Sequence, residues 1–249
     1  MPPLDEIVTV RIIPGWHTDD GHHVGALQVT LAPGWKTYWR AAGENGFPPV
    51  FRWGGSRNID GVEMLWPRPD ILMAGGTEIL GFSHELILPI RFQAGEPGHE
   101  IHAKGVVELG VCREVCMPVQ IPFSADLTPS DADTQFLIEL ALGDQPEQSA
   151  SQNAACRLLA HEDGYTLEAE LTLPRSAETR EIAVMELALD GVWVSPSRLN
   201  RQGDRLVVSS DLVSFDGSPF KPDLSSLRLT IIDATRAIEV SGCSPAKVD

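Results

Sequence analysis

Positive charge is scarce in this chain. Nineteen lysines and arginines stand against 35 aspartates and glutamates, a net charge of -16 over 249 residues. Nucleic acid is therefore not an expected partner, because a phosphate-binding surface needs cations to displace counterions. The acidity serves solubility. Long apolar runs are missing too, and none nears the ~20 residues of a membrane helix. The opening Met1-Pro2-Pro3-Leu4-Asp5-Glu6 lacks the basic and apolar regions of a secretory signal. That fits a cytosolic chain or the mature part of an exported one. No GxSxG elbow, HExxH pair or phosphate-binding glycine loop sits in a suitable setting, so those enzyme classes find no support. Cysteine is limited to Cys112, Cys116, Cys156 and Cys243.

What is present is β-structure. Apolar residues make up 43% of the chain, enough for one large core or two ordinary ones. Ile7-Val8-Thr9-Val10-Arg11-Ile12-Ile13 is β-branched and should stop at Pro14-Gly15; Leu27-Gln28-Val29-Thr30-Leu31 alternates with the period of a half-buried strand. Further strands are expected at 50–53, 62–66, 85–92, 106–112 and 116–123, between Pro- and Gly-rich breaks. Many short strands so punctuated indicate a sandwich. A helix should follow, capped by Ser130 and packing Phe136, Leu137 and Leu140 on one face up to Gly143. The polar 144–153 stretch reads as a linker. The second half returns to β, most clearly in Tyr165-Thr166-Leu167-Glu168-Ala169-Glu170-Leu171. The expected architecture is all-β: a sandwich over 1–128, a helix and linker over 129–153, and a smaller sandwich over 154–249.

Three residues separate Cys112 from Cys116. If the flanks are strands, those three make a tight hairpin turn with the cysteines facing one another. Opposed Cα atoms of an antiparallel pair lie ~4.5–5.5 Å apart, within disulfide range. So short a ring stabilises by only about 2 kcal/mol through loop closure, whereas an easily reduced bridge suits exchange chemistry. A hairpin staple and two buried thiols remain open alternatives on spacing alone. So does Cu(I) binding through Cys112, Cys116 and Met117. Asp19-Asp20-Gly21-His22-His23 holds metal-friendly residues, but without an element to fix them it reads as a solvated loop, and no metal or cofactor site is expected. Trp35, Tyr38 and Trp39 suit either partner docking or, more simply, core packing. Cys156 and Cys243 are either a structural bridge or two free thiols.

The segments Pro33-Gly34-Trp35-Lys36-Thr37-Tyr38-Trp39-Arg40, Gly43-Glu44-Asn45-Gly46-Phe47-Pro48-Pro49, Phe51-Arg52-Trp53, Trp66-Pro67-Arg68-Pro69, Gly81-Phe82 and Leu88-Pro89 come in that order before Val111-Cys112-Arg113-Glu114-Val115-Cys116-Met117-Pro118. Over 16–127 this order resembles the N-terminal periplasmic domain of the thiol:disulfide interchange protein DsbD family, in the branch that includes the suppressor-of-copper-sensitivity protein ScsB. The resemblance implies an immunoglobulin-like sandwich, a companion β-domain and a periplasmic protein-disulfide reductase activity. Cys116 would attack and Cys112 resolve. Electrons would come from a transmembrane domain of the same or another chain and pass to thioredoxin-fold periplasmic proteins. A cap over the sulfurs falls on Glu78, Ile79, Leu80 and Gly81. DsbD itself has more residues between its cysteines, and an aromatic pair where Ile79 and Leu80 stand. Glu78 is either a proton carrier or a solvated carboxylate.

Overall fold

The β-branched opening does form a strand, though a longer one than its punctuation indicates. In the computed structural model, which describes residues 2–43, 46–149, 154–175 and 180–246, a single turn α1 (Leu4–Ile7) leads into β1 (Val8–His17). Pro14-Gly15 does not end it. The register with β2 (His22–Leu31) shifts between Ile13 and Trp16 and then resumes. The polar groups freed at this irregularity find a partner in Ser130. Gly15 N donates to Ser130 Oγ at 2.9 Å, and Ser130 N donates to Gly15 O at 2.7 Å. Ser130 is therefore not the helix cap. Asp131 is, its side chain accepting from Thr134 N at 2.9 Å.

The rest of the first unit comprises β3 (Lys36–Tyr38), β4 (Val50–Arg52), β5 (Gly61–Met64), β6 (Asp70–Ala74), β7 (Thr77–Ser83), β8 (Glu85–Gln93), β9 (His102–Cys112), β10 (Cys116–Asp126) and helix α2 (Ala132–Gly143). One sheet runs β1-β2-β8-β5. The other runs β10-β9-β3-β7-β6, with β4 also on β9. Trp53 joins the two layers: its ring lies 5.5 Å from Phe92 on β8 and 5.0 Å from Phe123 on β10.

Helix α2 covers the outer face of the first sheet, but not with the residues its apolar pattern points to. Phe136, Leu137 and Leu140 are exposed, and Ile138 is fully buried against Ile13, Val24 and Ala26. With both faces covered, β2 loses polar alternation at its centre and is buried continuously from His23 to Leu27. Ile138→Ala should cost about 2–4 kcal/mol in chemical denaturation, and Phe136→Ala less than about 0.5 kcal/mol. Equal effects would contradict this packing.

The chain divides into two compact units between Gln145 and Pro146. Within the stretch expected to be linker, β11 (Glu147–Ser149) already pairs in parallel with a strand of the second unit; residues 150–153 lie outside the described residues. That unit continues through β12 (Ala154–His161), β13 (Gly164–Thr172), β14 (Ile182–Glu186), β15 (Val192–Val194), β16 (Arg198–Gln202), β17 (Arg205–Ser214), β18 (Arg228–Ile232), β19 (Ala237–Ser241) and β20 (Ser244–Pro245). Its sheets run β11-β19-β18-β14 and β15-β17-β13-β12-β20, with β16 on β17. One apolar core spans both, with Leu167, Val208 and Leu229 inside. The fold is all-β, two sandwiches with one substantial helix among the described residues. No helix among the described residues is long and apolar enough to cross a membrane.

Candidate functional site

Strands β9 and β10 form one long hairpin, and its register puts Cys112 opposite Cys116. Their Cα atoms are 4.1 Å apart and the sulfurs are bonded. Arg113, Glu114 and Val115 make the turn and all three are exposed. The two cysteines differ in access. Cys112 is fully buried, while Cys116 is only partly covered. Of the two, Cys116 is the less enclosed.

Beneath the bridge lies Tyr38, one of only two tyrosines in the chain. Its hydroxyl oxygen is 3.1 Å from each of the two sulfurs. A bonded sulfur carries no hydrogen, so the phenol is the donor in the oxidised state. Burial pushes the Tyr38 hydroxyl above its ordinary value, which keeps its proton on oxygen. Neighbouring Trp35 and Trp39 are buried as well, and Trp39 Nε1 donates to Pro67 O at 3.1 Å. Core packing therefore accounts for both tryptophans, and none of the three rings is an exposed docking patch.

Glycine makes the tyrosine contact possible. A Cβ at Gly110 would lie 2.7 Å from both the Tyr38 ring and Phe47 Cβ, so any side chain there displaces the ring from the sulfurs. Phe47 itself meets Tyr38 edge-on, with ring centroids 6.5 Å apart. Glu44 and Asn45, in the same sequence motif, lie outside the described residues.

The segment expected to cap the sulfurs is a regular strand. Glu78, Ile79, Leu80 and Gly81 belong to β7, paired with β6 on one side and, at Gly81, with Tyr38 of β3 on the other. Alternation along the strand divides their roles. Ile79 packs with Tyr38, Ala42, Ala74 and Cys112, while Leu80 is buried outside that group. Glu78 is half-buried, across from Met73. The covering piece is thus the β6–β7 hairpin. Its tip meets the cysteine turn, where a Cβ at Gly75 would stand 3.1 Å from Glu114 O. Met73 and Val115 expose apolar surface at these two hairpin ends.

The second unit has its own bridge, between Cys156 and Cys243, which are 87 positions apart in sequence with Cα atoms 5.8 Å apart. It joins β12 to the segment between β19 and β20, and Cys156 is buried. The free-thiol alternative does not hold for either pair.

Sequence reasoning missed the phenol as a partner of the sulfurs. The available signal was the alternation Lys36-Thr37-Tyr38-Trp39, which sends Tyr38 and Trp39 to opposite faces, so that one of them faces the cysteine strand's neighbours and the other the core.

Residues 7–128 match the family model described as thiol:disulfide interchange protein DsbD, N-terminal. No curated protein matches the chain in sequence. Among solved structures, the chain is similar to the N-terminal periplasmic domain of ScsB from Proteus mirabilis. The TM-score is 0.67 at 23% identity, over 96% of this chain and 92% of that one. This is a likeness of fold.

Proposed function

Residues 7–128 of this chain belong to the family of DsbD N-terminal domains, and from that premise we propose that the first unit is a periplasmic protein-disulfide reductase module working through Cys112 and Cys116. The observation that carries this reading is the bridge itself: Cys116 partly covered, Cys112 fully buried, and both sulfurs against a phenol.

In the dithiol state the Cys116 thiolate attacks one sulfur of a partner's disulfide. A mixed disulfide forms and one partner thiolate leaves. The Cys112 thiolate then attacks the Cys116 sulfur, closing the intramolecular bridge and releasing the second partner thiolate. Two electrons pass to the partner. A transmembrane electron-transfer domain, of this or another chain, returns the bridge to the dithiol. Thioredoxin-fold proteins are the partners this reading implies. The β6–β7 hairpin covers the sulfurs through Ile79 and must yield for contact, which assigns Glu78, Ile79, Leu80 and Gly81 the role of cap.

Tyr38 acts as a positioning residue. A hydroxyl donating to a thiolate favours the charged form and lowers the thiol's pKa. Tyr38→Phe keeps the ring and removes the donor. The rate of exchange against pH should then shift upward by about one unit, since hydrogen bonds to charged groups contribute about 1.5 kcal/mol. Wherever the pH lies below the thiol's pKa, the thiolate fraction and the rate fall about tenfold. An unmoved pH profile would remove Tyr38 from the mechanism.

The reading as a whole is tested by following reduction of a disulfide-bonded thioredoxin-fold protein by the chemically reduced chain. Transfer of electrons to that protein, with the Cys112–Cys116 bridge reformed, supports it. A bridge whose reduction potential lies far below about -300 mV would be a structural staple and would overturn it.

A further inference from the structure

Strand β10 carries Cys116 at its first position and pairs with β9 along one side. Among the described residues, no strand pairs with its other side. Three observations fix which residues turn their backbone groups to that free edge. Cys112 and Cys116 stand opposite with Cα atoms 4.1 Å apart, the narrow spacing of a pair that exchanges no hydrogen bonds. Gly110, opposite Pro118, turns its carbonyl away from β10 and accepts from Thr37 Oγ1 of β3 at 3.0 Å. Pro118 and Pro122 share the parity of Cys116 along the strand, and a proline has no N–H to give to β9. The outward residues are therefore Cys116, Pro118, Gln120, Pro122 and Ser124, and every other one lacks a donor.

We propose that an extended segment of the acceptor protein, beside its own disulfide, adds to this edge at Cys116 alone. Cys116 N–H donates to one acceptor carbonyl, and Cys116 C=O accepts from one acceptor N–H. This docking mode rests on the assignment of Cys116 as the attacking residue and describes how its partner is held.

The occupant follows from the chemistry. The sulfur that joins the acceptor and the backbone groups left over at the edge belong to one residue. In the mixed disulfide the acceptor's cysteine Cα lies ~4.4–6.8 Å from that of Cys116. Neighbouring strands of a sheet lie ~4.8 Å apart, so an acceptor chain bonded to Cys116 is already at strand distance. Main-chain hydrogen bonds read no side chain, so acceptors of different sequence are served by the same edge. What the two bonds supply is alignment of the acceptor's sulfurs with Cys116 Sγ.

The prolines limit the contact. At the next outward position Pro118 is exposed and offers a carbonyl but no N–H, and Pro122 repeats the break beyond Gln120. The pairing cannot lengthen into a stable sheet, so the acceptor leaves once Cys112 closes the bridge. The same interruptions keep two copies of the chain from joining along β10.

The test uses the full chain as its Cys112→Ala variant, labelled with 15N. The probe is a thioredoxin that keeps only its exposed active-site cysteine, carried as a mixed disulfide with thionitrobenzoate. The Cys116 thiolate attacks the thioredoxin sulfur, thionitrobenzoate leaves as the thiolate, and the covalent complex cannot be resolved. The same variant joined to glutathione is the reference. Exchange of the Cys116 amide proton should slow at least ~10-fold against that reference. A scalar coupling should appear across the hydrogen bond from Cys116 15N to a thioredoxin carbonyl 13C. Gln120 and Ser124 amides should exchange as in the reference. A complex in which the Cys116 amide is unprotected, or protected without the coupling, overturns the edge pairing and leaves the exchange chemistry standing. Protection that runs on to Gln120 and Ser124 overturns the limit set by the prolines. Failure of the complex to form at all overturns the role of Cys116 as well.

Discussion

Replacing Cys116 with alanine is expected to bring partner reduction down to the uncatalysed background, while replacing Cys112 leaves a covalent complex with the partner. The two outcomes differ because the two sulfurs stand in different places. Cys116 is the partly covered one, and Cys112 has no exposed surface. In-line attack on a partner's disulfide needs an accessible thiolate, and removing it removes the first chemical step. Without Cys112 the first step proceeds, but nothing resolves the mixed disulfide, which accumulates on Cys116. Non-reducing electrophoresis after mixing each variant with an oxidised thioredoxin-fold protein reads both results. If Cys116→Ala traps the partner and Cys112→Ala does not, the order of attack is the reverse. If neither variant traps and both retain turnover, the pair is not the working group.

The largest effect on stability should come from the other bridge. Closing a loop of 87 residues removes about 4–5 kcal/mol of unfolded-state entropy, against about 2 kcal/mol for the short cysteine turn. Replacing both Cys156 and Cys243 with alanine should therefore lower the melting temperature of the second unit by about 20 °C. Opening Cys112–Cys116 alone should cost the first unit far less. Differential scanning calorimetry of the two variants separates these effects. A fall of less than about 5 °C in the Cys156/Cys243 variant would show that the core around Leu167, Val208 and Leu229 holds that unit without its bridge. Size of loop is the physical reason for giving the two bridges different duties: the long one constrains the unfolded chain, the short one constrains little and is placed within reach of solvent.

The cysteine hairpin was the most legible part of the chain. Strands expected at 106–112 and 116–123 leave a three-residue spacer, and once both form and pair the two cysteines stand across from each other. The same holds for β13, where alternation from Tyr165 to Leu171 became one face of the second core. The helix was legible in extent but not in orientation. Its ends follow from local capping chemistry, yet the buried face was decided by Ile13, Val24 and Ala26 on the sheet beneath it. In the first unit, the strands β3, β6 and β7 were not anticipated. Each is held by its neighbours on both sides or by a hairpin partner rather than by a strong pattern of its own.

The amino-acid order alone determined an all-β chain, a cysteine pair opposed across a tight turn, and the motif series that places the first unit in its family, because each depends on residues near one another in sequence. Only the tertiary structure decided which cysteine is the less buried, that the Tyr38 hydroxyl reaches both sulfurs, that the segment from Glu78 to Gly81 is a paired strand, and that His23 lies buried beside His17. Those outcomes depend on segments brought together from far along the chain, as Tyr38 and Cys116 are, and no local pattern encodes which side chain a distant strand will present.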